Sequence, residues 1–311
     1  MATSTHVIHQ GAPGVRLAAG DLDAIVIPSA GMVVASLRLR GDELLGRADS
    51  LSAWIVGGHT MGIPLLHPWA NRLADTRYTV EGRLIEMDPE SPLLHRDANG
   101  LLIHGLLAAS TAWKAVTPVA NDARARLTAV LDAEDVPGML EAFPFPHRLE
   151  LAMELRSDVL SIATTLTATG SVAVPVAFGW HPYLQLPRTP RPEWEIDLPP
   201  MRALELDALQ LPTGEQRPFD ALRAPLGSMT FDDAYGSVEP GALFALRTDG
   251  REITVSFDEG YPCGQVYAPS SQDVVALEPM TAPANALAAD RDLTFAAPGT
   301  SYRARFSVHV T

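Results

Sequence analysis

The segment His147-Arg148-Leu149-Glu150-Leu151-Ala152-Met153-Glu154-Leu155-Arg156 decides the fold class. Leu149, Leu151, Met153 and Leu155 alternate with Arg148, Glu150, Glu154 and Arg156. That is the period of two expected where successive side chains point to opposite faces of a sheet. Tyr302, Ala304, Phe306, Val308 and Val310 alternate in the same way with Arg303, Arg305, Ser307 and His309. Outward from these two, strands are predicted at Ile25–Pro28, Met32–Arg40, Tyr78–Val80, Leu84–Met87, Arg124–Leu131, Val159–Thr169, Val172–Phe178, Ala242–Arg247, Ile253–Phe257 and Val274–Leu277. Glu81-Gly82 and Asp249-Gly250 join two pairs of them as hairpin turns, because glycine readily supplies a positive φ. Helical signals are confined to Ser50–Val56 and Gly214–Leu222, and they do not repeat with strands as in a βαβ protein, so the sheet is read as antiparallel.

The 26 prolines and 23 glycines are spread along the chain and mark no linker. The most Pro-rich stretch, Pro187–Pro200, is interrupted by Trp194 and Ile196 and reads as an ordered loop. At ~150 residues per domain the length of 311 residues suggests two domains. All-β chains, however, commonly reach ~250 residues as one unit. No fixed-period repeat is visible, which weighs against a propeller or solenoid. The expectation is an all-β chain, a single large antiparallel sandwich over Met1–Thr311.

Composition narrows the function. An apolar fraction of 47% with 19% charged residues excludes a disordered chain. The net charge of −14 repels a phosphate backbone, so no nucleic-acid partner and no anionic membrane surface are expected. No run approaches the ~18 apolar residues of a membrane span, and Met1–Gln10 lacks the charge and apolar core of a secretory signal. The chain is read as cytoplasmic. Its single cysteine, Cys263, excludes a disulfide framework and a cysteine-rich metal site. Lys114 is the only lysine, so Schiff-base chemistry or a P-loop would have to rest on that one residue.

The histidines form no H-E-x-x-H or H-x-H pair, and neither a G-x-S-x-G elbow nor a G-x-G-x-x-G fingerprint is present. No metal and no cofactor are expected. Four places stand out because a polar group sits in an apolar, Pro- and Gly-punctuated stretch where it needs work or a partner. They are Asn71-Arg72 after Pro68-Trp69-Ala70, His104 in Ile103-His104-Gly105, His181 in Gly179-Trp180-His181-Pro182-Tyr183, and Glu278 in Leu277-Glu278-Pro279-Met280-Thr281. Burial would raise the pKa of Glu278 toward the range useful to a general base. Singly, each has a plain alternative: a hydrogen-bonded core histidine, or a glutamate ending a strand.

With Phe231-Asp232-Asp233-Ala234-Tyr235, and in this order, these pieces resemble the aldose 1-epimerase (galactose mutarotase) family from about Gly62 to Leu287. The resemblance implies a galactose mutarotase-like β-supersandwich and a cofactor-free exchange of the α and β anomers of a free aldohexose. It implies Glu278 as base and His181 as acid, with His104, Arg72 and Asp232 binding the sugar and Asn71 in the same motif. Asp232 is preferred to Asp233 on the family's spacing to an aromatic, here Tyr235; on a strand the two point to opposite faces and only one can serve. Trp69, Trp180 and Tyr183 adjoin the motifs as candidates to stack on a sugar, with core packing the alternative. Pro182 and Leu184 stand where galactose mutarotases commonly carry Ser or Thr and Phe, which points to a broader branch and leaves the sugar open. The alternatives are a hexose-6-phosphate 1-epimerase, which needs arginines beside the pocket, and a non-catalytic carbohydrate-binding protein. The oligomeric state is not readable from the residues.

Overall fold

The computed structural model describes residues 1–46, 50–115 and 117–311. Among the described residues the larger sheets hold ten, eight and five strands, with every strand pair antiparallel. The His147–Leu155 strand buries His147, Leu149, Leu151, Met153 and Leu155 and turns Arg148 and Glu150 to solvent. It lies in the ten-stranded sheet between Ala125–Asp132 and Val159–Ala168. Ser301–Val310 sits in the middle of the same sheet, pairing with Val159–Ala168 on one side and Arg251–Glu259 on the other. Both predicted hairpins form, Arg77–Val80 with Arg83–Glu86 and Ala242–Thr248 with Arg251–Glu259, and Gly82 and Gly250 adopt positive φ at their turns.

Two expectations are corrected. Gly214–Leu222, read as helical, lies mostly in the Pro212–Phe219 strand, which pairs with Met201–Leu206. Its side chains are mainly exposed, so no buried face imprints an alternating pattern there, and pairing with a neighbour decides its conformation. Pro187–Pro200, read as loop, contributes the Glu195–Leu198 strand, with Ile196 and Leu198 buried. The other predicted helix is present as Leu51–Gly57, anchored by Trp54, whose indole N–H donates to the Ala30 carbonyl at 2.9 Å.

The eight-stranded sheet runs, in order, Pro212–Phe219, Met201–Leu206, Phe231–Gly236, Cys263–Ala268, Val275–Met280, Gly179–Trp180 and Leu65–Leu66, and Tyr183–Leu184 also pairs with Val275–Met280. It packs on the ten-stranded sheet through large aromatic groups. Trp180 meets Phe306 with ring centroids 5.8 Å apart and donates its indole N–H to Thr164 Oγ1 at 3.0 Å. A polar tie crosses the same core. Buried His147 lies 2.6 Å from the Phe145 carbonyl through Nδ1, so that nitrogen carries the hydrogen. Its Nε2 therefore accepts from His67 Nε2–H at 2.8 Å. Burial, reinforced by His147, holds His67 well below 6.5, and burial holds His147 down to about 4, so both rings are neutral. One apolar cluster extends from Ala2 to Val310.

Candidate active site

The alternation of the eight-stranded sheet builds the site. Asp232 stands opposite Tyr267, and Gln265 stands opposite Glu278, on neighbouring strands. Because side chains alternate, these four share one face, while Asp233, Val266 and Leu277 share the other. Val266 and Leu277 lie in the core, so the Asp232 face is the one turned to the cavity. The same rule separates Trp180, in the core, from His181, in the cavity. The cavity measures about 180 Å³. All six residues singled out in the sequence, Asn71, Arg72, His104, His181, Asp232 and Glu278, line it together with Ile103, Tyr183 and Tyr267. Of the three aromatic candidates only Tyr183 reaches it. Trp69 and Trp180 are buried in the core.

His181 Nε2 lies 3.2 Å from Glu278 Oε1. Glu278 is 1% exposed, and its Oε2 has no hydrogen-bond partner among the described residues. Burial, with the Asp232 charge adding to it and Arg72 opposing, raises the Glu278 carboxyl well above its ordinary 4.5. The His181 ring stacks on Tyr183 at 4.1 Å, and the Tyr183 hydroxyl hydrogen-bonds Thr60 Oγ1 at 2.6 Å, so the imidazole plane is fixed from behind. His104 meets His181 edge-on at 5.4 Å. Burial, then the Arg72 charge, lowers His104 to about 3, which makes it a neutral donor or acceptor at ordinary pH.

The Arg72 guanidinium is held on several sides. Its Nε donates to Asp97 Oδ2 at 2.8 Å, Nη1 to Asn71 Oδ1 at 3.3 Å, and Nη2 lies 3.5 Å from Asp232 Oδ2. Asn71 also takes the Arg72 backbone N–H on Oδ1 at 2.7 Å. Asn71 and His104 both adopt left-handed backbone, and the His104 N–H donates to the Asn71 carbonyl at 2.9 Å, which locks the two loops together. Gln265 donates from Nε2 to Asp232 Oδ1 at 2.7 Å. Asp97, Gln265, Tyr183's hydroxyl support and Tyr267 were not legible as site residues. The period-two pattern places Gln265 and Tyr267 on the Glu278 face once pairing is known, but Asp97 carries no local signal at all.

A carboxylate and an imidazole in contact, ringed by donors and acceptors for hydroxyl groups and set on the face of a large antiparallel supersandwich, define a galactose mutarotase-like protein. The chain belongs to the aldose 1-epimerase family, whose pattern it matches over residues 14–309. It is similar to the uncharacterized protein YihR of Escherichia coli K12, at 24% identity covering 97% of this chain and 94% of that one. A galactose mutarotase-like protein from Clostridium acetobutylicum shares the fold at TM-score 0.87 and 16% identity, covering 100% of this chain and 98% of the other. Galactose 1-epimerase from Lactobacillus acidophilus does so at TM-score 0.78 and 14% identity, covering 100% and 99%. Among the described residues no helix is long and apolar enough to cross a membrane.

Proposed function

We propose that the protein interconverts the α and β anomers of a free aldohexose, working as one unit with Glu278 as general base and His181 as general acid. The observation that carries this reading is the 3.2 Å contact of His181 Nε2 with Glu278 Oε1 inside a cavity large enough for one small ligand. Opening a hemiacetal removes a proton from O1 and delivers one to O5. Glu278 takes the first, the C1–O5 bond breaks with its electron pair going to oxygen, and His181 supplies the second. Rotation about C1–C2 and the reverse transfers give the other anomer and return both groups to their starting state. No covalent intermediate is needed. Arg72 and Asn71 offer donors, Asp232 an acceptor, and neutral His104 either, for the sugar hydroxyls.

The competent state has Glu278 ionised and His181 protonated, one proton between them. Because the carboxyl of Glu278 is raised, activity falls as pH drops through a value well above 4.5. NMR exchange spectroscopy on α-glucose and α-galactose tests the reading. Glu278→Gln and His181→Asn are each expected to lose about 10²–10⁴-fold in exchange rate. A Glu278→Gln enzyme that exchanges anomers as fast as the parent rules Glu278 out as base. Tight sugar binding by the parent without accelerated exchange would favour a carbohydrate-binding protein instead.

A further inference from the structure

Arg72 is the sole arginine or lysine among the described residues lining the cavity, and its charge is already met by carboxylates. Asp97 is the closer of the two at 2.8 Å, and the Arg72 and Asp97 side chains are largely buried, at 14% and 9% exposure. Asp97 does not itself line the cavity. Its Oδ1 accepts the backbone N–H groups of Asn99 and Leu101 at 2.9 and 3.0 Å, which leaves Oδ2 aimed at Arg72 Nε. That arrangement does two things. It leaves Nη1 and Nη2 against Asn71 and Asp232, two residues that line the cavity, and it offsets the guanidinium charge. Arg72 against Asp97 and Asp232 leaves one negative charge in excess, and the His181–Glu278 pair adds none when it holds a single proton.

We propose that Asp97 is a positioning and specificity residue: by neutralising Arg72 it makes the cavity select uncharged aldoses over sugars bearing a phosphate, sulfonate or carboxylate. The inference rests on the aldose reading given above. An anionic substituent entering the cavity meets Asp232 without a free cation to offset it, whereas hydroxyl groups use the remaining guanidinium N–H donors at no charge cost. Removing the Asp97 charge frees Arg72 to pair with an anion.

The experiment measures kcat/KM for glucose and for glucose 6-phosphate in the parent, Asp97→Asn and Asp97→Glu. Asparagine keeps an Oδ1 acceptor for the turn but loses the charge on the arginine side. The parent is expected to prefer glucose. In Asp97→Asn the preference for glucose falls about tenfold, chiefly through KM, and Asp97→Glu restores most of it. A merely structural role would depress both substrates in proportion and leave the ratio where it was, which overturns the inference. So does a parent enzyme that turns over glucose 6-phosphate as well as glucose, a result that needs no folded variant. If the parent binds sugars but exchanges none, the epimerase reading fails, and the Kd ratio of the two sugars by calorimetry still decides the role of Asp97.

Discussion

Glu278 is an almost fully buried carboxyl group in the cavity wall, with one oxygen lacking any hydrogen-bond partner among the described residues. Such a group weighs against the fold when it is ionised. Its pKa is raised in the folded chain, so the folded state holds the proton more tightly than the unfolded one. The stability tied to it is fully present below about pH 4.5 and is lost as pH rises through the raised folded value. Glu278→Gln, which cannot ionise, is therefore expected to melt higher than the parent at pH 8, by roughly 2–4 °C for each kcal/mol relieved, and to lose that advantage at pH 4. Scanning calorimetry at the two pH values checks it. An equal gain at both would mean that the charge is not the cause. His104 works in the opposite sense, since burial keeps it uncharged down to about pH 3 and no proton is exchanged there at working pH.

Between the strands, the loop Ile103-His104-Gly105 places a site residue by backbone geometry. Gly105 has φ +77°, and a Cβ there would lie 2.2 Å from the His67 carbonyl oxygen, which already accepts the N–H groups of Leu106 and Leu107. Gly105→Ala therefore strains φ and expels that carbonyl, at a cost of about 2 kcal/mol or more. The expected result is a melting temperature lower by roughly 4 °C or more, with weakened sugar binding because His104 shifts; a variant with unchanged melting and binding would sink this account. Legibility from sequence follows the same geometry. His147–Leu155 and Ser301–Val310 announce themselves because one face is buried and the other is not. The Thr3–His9 and Ala12–Ala19 strands were not predicted, since Gly14, Pro13 and scattered polar residues break their alternation. Arg72, His104, His181 and Glu278 stood out because each is a polar group in an apolar stretch. Asp97 reaches Arg72 across 25 positions from a loop full of turn residues, where an aspartate is ordinary. The resemblance prefers Asp232 to Asp233 on spacing alone, and the pairing register supplies the physical reason, placing only Asp232 beside Tyr267 on the cavity face.

Across the whole molecule, the His67–His147 contact links the strand of the ten-stranded sheet to the segment that leads into Asn71 and Arg72. Both rings are neutral when folded and take up protons when unfolded. Their contribution is present above pH 6.5 and is lost as pH falls toward about 4, which for His147 alone amounts to roughly 3 kcal/mol. Urea unfolding followed between pH 7.5 and 4.5 is expected to show this loss, and His147→Gln to show a shallower slope; a parent chain equally stable at both ends would refute it. The place of Ser301–Val310 has a kinetic consequence. It pairs Leu160 with Val308, so the central joint of the ten-stranded sheet waits for two segments nearly half the sequence apart to meet. Loop closure of that span is an entropic toll that grows only slowly with length, yet it falls due before any of the joint's contacts form. Trp180 packs against Phe306 of that same strand, so the core beneath His181 cannot close until the joint does. The joint and the floor of the cavity are thus one structure, and a mutation that loosens it is expected to slow the birth of the site as well as to shorten its life.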